Sequence, residues 1–234
     1  MTQQHITSAF DRDLEDIQAK IMKMGGLVEA AILESAISLE TRDEERAEKV
    51  RAADKAIDLL EEKINEDAAR LIALRSPTAS DLRLVLAIMK ISGNLERIGD
   101  YAKNMAKRTG VLAQMAPVSD SAGSLRRMAK EVSKMLKDVL DAYIHRDAEL
   151  AGDVIKRDSD VDQMYNGLFR EFLTFMMENP RNITACMHLH FIGKNIERMG
   201  DHVTAIAEQV VYLVTGEYPE EARLKSDVTS TQTM

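Results

Sequence analysis

Apolar residues near the start of the chain fall at Phe10, Leu14, Ile17, Ile21, Met24, Val28, Ala31 and Leu39. Steps of four and three alternate, which predicts a long helix with a coiled-coil-like seam. Gly25-Gly26 interrupts that seam and invites close approach by a neighbouring element. A second run passes through Val50, Ala53, Ile57, Leu60, Ile64, Leu71 and Leu74 and stops near Ser76-Pro77. A third, with Thr78 or Ser80 as the expected N-cap, carries Leu84, Ile88, Ile91, Leu95, Ile98, Ala102, Met105 and Leu112. Pro117 and the polar stretch SDSAGS (119–124) then read as a break.

Beyond the break the plan repeats. Leu125, Met128, Val132, Met135, Val139 and Tyr143 form one apolar face, and Val154, Val161, Met164, Leu168, Phe172 and Phe175 the next, stopped by Asn179-Pro180. Leu189, Ile192, Ile196, Met199, Val203, Ile206 and Val210 form the last, with Gly216 placed as its C-cap. Matches between the halves keep their order: Arg42-Asp43 with Arg146-Asp147 at an offset of 104, Pro77 with Pro180 at 103, and the heptads NLERIGD (94–100) and NIERMGD (195–201) at 101. The small drift falls at a turn, where insertions are tolerated. No stretch shows the strict alternation of a strand. The pattern predicts an all-α fold of two tandem, similar three-helix bundles of long antiparallel helices, residues 1–117 and 118–216. A polar tail, 217–234, is expected to be poorly ordered.

Composition narrows the function classes. The chain of 234 residues is 45% apolar but only 4% aromatic, which suits helices better than sheets. A net charge of −8 argues against duplex nucleic acid and against a polybasic contact with anionic lipid. The single Cys186 cannot form an internal disulfide, which favours a reducing compartment. The start, MTQQHITSAFDRDLED, lacks a signal-peptide pattern, and no run reaches the ~18 apolar residues of a membrane span. A cytoplasmic protein without direct membrane insertion is the expectation.

The candidate chemistry lies in paired acids. Residues four apart share a helix face, so Glu96 points with Asp100, Glu197 with Asp201, Asp54 with Asp58, and Asp158 with Asp162. Acids fill 39 of 234 positions, so any one such pair arises readily by chance. Recurrence of one D-x-x-x-D and one E-x-x-x-D in each half carries more weight. Antiparallel neighbours could unite them into four-carboxylate patches, which repel themselves unless their pKa values rise or a cation intervenes. Oxygen-only ligation suits Mg²⁺, Mn²⁺, Ca²⁺ or iron, and clustered carboxylates can bridge several ions. The structural alternative is neutralisation by Arg97 and Arg198. Gly99 and Gly200 each cost helix propensity and would admit a neighbouring helix or leave room above the acids. Asn94 and Asn195 project to another side, toward a neighbouring helix.

Other candidates are weaker. His188 and His190 diverge on a helix and read as structural, while His202 could add a nitrogen ligand in the second half only. Glycine where a di-iron bundle needs the histidine of Glu-x-x-His disfavours a ferritin-like oxidase. Cys186 reads as a buried thiol and the methionines as core. No phosphate-binding loop or nucleophile elbow is present, and no residue is assigned a catalytic role.

Several segments resemble the PhoU family: MKMGGLVEAAI (22–32), SPTASDLR (76–83), RDSDVDQMYNGLFREFLTFMMENP (157–180), and both heptads with their flanks, GNLERIGDYAKNMAK and KNIERMGDHVTAIAE. The resemblance spans nearly everything but the tail. It implies two repeated three-helix bundles and a non-enzymatic regulator that silences the phosphate regulon and restrains uptake when phosphate is plentiful. The implied partners are the ATPase subunit of the phosphate ABC transporter, the sensor histidine kinase of the regulon and a second copy in a homodimer. Recruitment to the inner membrane face would come through those partners. It also implies multinuclear metal clusters (iron, Mn or Mg) on Asp54, Asp58, Glu96 and Asp100, and on Asp158, Asp162, Glu197 and Asp201. The turn SPTASDLR has no close copy at PRNITAC (180–186), so the halves are not expected to be equivalent partner surfaces. The competing readings are a metal-dependent hydrolase or metal store on the same carboxylates, and a helical scaffold without metal.

Overall fold

A computed structural model describes residues 2–219, with side chains from residue 9 onward. Six helices follow one another: α1 (Thr2–Thr41), α2 (Glu44–Arg75), α3 (Ala79–Ala113), α4 (Ser121–His145), α5 (Ala148–Glu178) and α6 (Ile183–Thr215), with one 3₁₀ turn at Pro180–Asn182 before α6. There is no strand among the described residues.

The Arg-Asp pairs that mark the repeat are its tightest turns. Arg42 and Arg146 adopt the left-handed conformation, with φ of 56° and 53°, and reverse the chain after α1 and α4. Asp43 and Asp147 then cap α2 and α5, their carboxylates accepting from the backbone amides of Arg46 and Leu150 at 2.9 Å. Such a cap is worth roughly 1 kcal/mol. Arg42 also donates to the carbonyls of Leu112 and Met115, at 2.8 and 2.6 Å, and so satisfies backbone acceptors where α3 ends.

Helices α1, α2 and α3 pack on one another, as do α4, α5 and α6. The two units join where α1 meets α4 and α3 meets α6, so α2 and α5 lie at the outer edges. Asn94 bonds His202 and Arg108 bonds His188 across the second seam, which sets α3 and α6 antiparallel. Buried Ile17, Ile21 and Met24 on α1, Ile88, Ile91 and Leu95 on α3, and Ile192, Ile196 and Met199 on α6 fill the interior. Each such side chain contributes about 1.5–3 kcal/mol on leaving water, which is what holds helices of this length in register.

Several local expectations are altered. Gly25-Gly26 does not interrupt α1, because tertiary packing outweighs the ~2 kcal/mol of helix propensity the pair forfeits. Gly25 packs closely under α4: a Cβ there would overlap Leu140 Cδ1, whereas one at Gly26 meets nothing within 4 Å. Thr78 is the N-cap of α3, yet its hydroxyl pairs with Asp81 Oδ2 at 3.2 Å and not with a backbone amide. The break between the halves is 114–120, since Ser121–Ser124 already belongs to α4. Gly216 does cap α6, with φ 86°, and the chain folds back so that Tyr218 stacks on Tyr212 with centroids 4.3 Å apart. Residues 220–234 of the expected tail lie outside the described residues.

The units differ along their outer wall. A groove of about 400 Å³ opens between α1 and α2 over Leu27, Ala30, Val50, Ala53 and Ile57. In the second unit Arg157 stands 104 residues on from Ala53, and it bonds Asp138 at 2.6 Å across the corresponding place. Among the described residues no helix is long and apolar enough to cross a membrane.

Gly26→Ala is expected to raise stability by up to about 1 kcal/mol. Gly25→Val should lower it by about 1–3 kcal/mol through overpacking against Leu140. Urea denaturation of both variants beside the unaltered protein checks the pair.

Candidate metal centre

Each heptad of the third helix meets the D-x-x-x-D of the second at its glycine. A Cβ on Gly99 would lie 3.1 Å from Ile57 Cδ1 and 3.7 Å from Asp54 Oδ1. One on Gly200 would lie 3.3 Å from Asp158 Oδ1 and 3.5 Å from Val161 Cγ1. Both glycines therefore seat an aspartate-bearing helix against the acidic face of α3 or α6, which accounts for a residue that costs about 1 kcal/mol of helix propensity.

In the first unit Asp54 is only 5% exposed, while Glu96 and Asp100 are half-buried and Asp58 faces solvent. Asp54 Oδ2 accepts from Lys103 Nζ at 2.5 Å, and the same ammonium reaches Asp100 Oδ1 at 3.2 Å. Asp54 Oδ1 is buried with no hydrogen-bond partner. Arg97 stays at 3.5 Å from Glu96 and 3.8 Å from Asp100. In the second unit Asp162 and Glu197 are each 6% exposed. Lys194 donates to Glu197 Oε1 at 2.8 Å, and Oε2 is buried without a partner.

The electrostatics record how close the acids stand. Burial first, then the charge of Asp100, pushes the Glu96 carboxyl above the ordinary range, with Asp58 adding to it. Asp58 is raised by desolvation and then by Asp54 and Asp100, against the pull of Lys103. Burial raises Glu197 as well; Lys194 opposes it, and Asp201 and Asp162 reinforce it. The hydrogen bond to Asp54 is the main cause that raises Lys103, which holds its proton more tightly than a free lysine.

The predicted acids are thus brought together unit by unit, four on α2 and α3 and four on α5 and α6. As the side chains stand, no three Asp, Glu, His or Cys groups among the described residues converge to enclose an ion. The donor set still fits a hard cation: carboxylate oxygens only, with one buried oxygen unpartnered in each patch. His202 turns Nδ1 to Asn94 Oδ1 at 2.8 Å across the α3–α6 seam and lies against Tyr101 with ring centroids 5.7 Å apart. Asn94 thus bonds a neighbouring helix, as its position on α3 suggests. His188 sits beside Arg108, whose charge adds to burial in lowering its pKa, and His190 stacks on Tyr165. Burial pushes the Cys186 thiol up.

Sequence reasoning looked to Arg97 and Arg198 for neutralising charge and missed Lys103 and Lys194. The signal was available: Lys103 follows Asp100 by three residues and Lys194 precedes Glu197 by three, both same-face spacings.

A family model described as the PhoU domain matches the chain twice, over residues 21–109 and 125–210. The chain belongs to the PhoU family. Each PhoU match contains one complete set of four acids. A protein of Rhizobium meliloti named phosphate-specific transport system accessory protein PhoU homolog is 45% identical over 99% of this chain and 98% of its own. One of the same name from Caulobacter vibrioides is 44% identical over 97% and 99%. Among solved structures, PhoU of Pseudomonas aeruginosa superposes with a TM-score of 0.85 at 38% identity, covering 89% of this chain and all of that one. The phosphate transport system regulatory protein PhoU of Streptococcus pneumoniae gives 0.80 at 31%, covering 90% and 99%. The all-α fold of two three-helix units is that of the PhoU family.

A carboxyl whose pKa is raised by folding ionises more readily in the unfolded chain. Its contribution to stability therefore falls as pH rises from the ordinary glutamate value through the raised one, and is level above it. In chelator-treated protein, Glu197→Gln should gain stability relative to the unaltered chain between pH 4.5 and 7. Thermal melts at the two pH values test this, and a pH-independent difference would refute it.

Proposed function

We propose that this chain is a non-enzymatic regulator of phosphate-specific transport. In this reading it is an adaptor between the ATPase subunit of the phosphate ABC transporter and the sensor histidine kinase of the phosphate regulon. It holds the regulon silent and restrains uptake when phosphate is plentiful. It works as a homodimer in the cytoplasm, drawn to the inner membrane face by those partners. The observation that carries the role is likeness over nearly the whole chain to proteins named phosphate-specific transport system accessory proteins.

The carboxylate patches are its metal centres. Asp54, Asp58, Glu96 and Asp100 would hold one cluster and Asp158, Asp162, Glu197 and Asp201 the other, with iron, Mn or Mg as the ions. Support comes from the buried, unpartnered oxygens of Asp54 and Glu197. A bound cation would supply charge neutralisation between the second and third helix of each unit. Because such ions bind the folded state alone, they would add stability, about 2.7 kcal/mol at a hundredfold excess over Kd.

Deleting the gene is expected to leave phosphate-starvation genes active in high phosphate, and unchanged repression would sink the role. Co-purification from phosphate-replete cells should recover the ATPase and the kinase, with metal in the same sample. On the metal-stripped protein, Mn²⁺ should raise the Tm, and Asp54→Asn combined with Glu197→Gln should abolish that rise. Phosphoester turnover lost on Glu96→Ala would favour a hydrolase instead.

A further inference from the structure

Each acidic patch already contains a cation, and in both it is a lysine of the chain itself. Lys103 bridges α2 to α3, its Nζ 2.5 Å from Asp54 Oδ2 and 3.2 Å from Asp100 Oδ1. Lys194 places its Nζ 2.8 Å from Glu197 Oε1 and 5.2 Å from the centre of the Tyr165 ring, leaning from α6 toward α5. The two lysines are not counterparts in the repeat. Thr204, a buried residue whose hydroxyl has no hydrogen-bond partner, stands 101 residues after Lys103. Gly93 stands 101 residues before Lys194. The halves thus reach the same arrangement, an ammonium on a buried carboxylate, from different positions. In both, one acid that the lysine touches (Asp54 or Glu197) is at least nine-tenths buried and keeps one oxygen unpartnered.

We infer that Lys103 and Lys194 are tethered counter-cations that compete with metal for the two carboxylate patches. The inference rests on reading those patches as metal centres. A cation at an oxygen–metal distance of about 2.0–2.6 Å from the unpartnered oxygen would share one carboxylate with the ammonium on the other oxygen, and two positive charges repel at such range. Loading is therefore an exchange of cations and not the filling of a bare acidic site. The lysine side chains are 40% and 31% exposed, so each ammonium can swing into water without burying anything. Two consequences follow. The metal-free protein is spared the self-repulsion of four carboxylates, so it stays folded. Each loading event also delivers a lysine charge to the surface beside its heptad, where a partner can read it.

The experiment uses full-length, metal-stripped protein with Mn²⁺ as the probe, free ion being counted by its EPR signal. Lys103→Met and Lys194→Met should each tighten Mn²⁺ binding about tenfold, the loss of one charge-assisted contact. The two effects should fall on separate sites and combine in the double variant. Lys103→Arg, which keeps the charge, should stay near the unaltered affinity. Each methionine variant should melt below the unaltered protein when metal-free, with the same helical circular dichroism. Binding by the unaltered protein that changes less than twofold, or weakens, in both methionine variants overturns the inference and leaves the metal reading standing. If neither the unaltered protein nor any variant binds Mn²⁺, Fe²⁺ or Mg²⁺, the metal reading falls and takes this inference with it. Binding by the methionine variants alone would support the competition directly.

Discussion

A carboxylate withdrawn from water between two helices must find positive charge or hydrogen-bond donors, and leaving it without them costs several kcal/mol. Asp54 and Glu197 are in this position, and much of their surroundings answers to it. The helices carry glycine where they cross because a side chain there would press on Ile57 in the first unit and on Asp158 and Val161 in the second. A lysine touches both Asp54 and Glu197, Lys103 from the facing helix and Lys194 from one turn away, and balances the charge locally. Asp162 is buried with Glu197 in the second unit, and the other acids stay nearer the surface, where water shares the load. A bundle stabilised only by its apolar seams would need none of these residues.

The seams bring two such places into one packed chain. The antiparallel contact of α3 with α6 carries Asn94 to His202 and sets Tyr101 against that same ring. Asn94, which opens the first heptad, and Tyr101, which follows it, therefore both meet His202, the residue that follows the second heptad. The third helices are at once the wall of their own acidic patch and the floor of the joint between units. A change of charge on one wall is next to the packing that fixes the other. For a protein proposed to report on transport to a second partner, this is a short physical path between two sites.

Much of the architecture was legible in the residues. The three-and-four spacing of Leu84, Ile88, Ile91, Leu95 and Ile98 fixed a face of α3, and the ordered matches between halves fixed the repeat. The acids were legible because they recur at same-face spacing. What could not be read was which acid of each set is buried. Asp54 in the first unit, but both Asp162 and Glu197 in the second, take the deep positions, and that follows from how helices settle on one another, which spacing does not encode. The lysines were overlooked for a related reason. A lysine three residues from an acid is common on any solvated helix, and only the burial of its partner gives it meaning. Gly25 misled in the opposite sense, since propensity alone does not tell a break from a close crossing.

Arg42 ties together places that are distant along the chain. Its backbone turns α1 into α2 in a conformation few side chains favour, and its guanidinium holds the carbonyls of Leu112 and Met115 at the end of α3. The segment that leads out of the first unit is thereby fastened to the turn between α1 and α2. Mechanically, the strand of chain between the units is not a free tether. Bending there would have to break two charge-assisted bonds before any packed side chain moved. Any rocking of one unit against the other would therefore have to slide along the helix seams, with the covalent connection following as cargo.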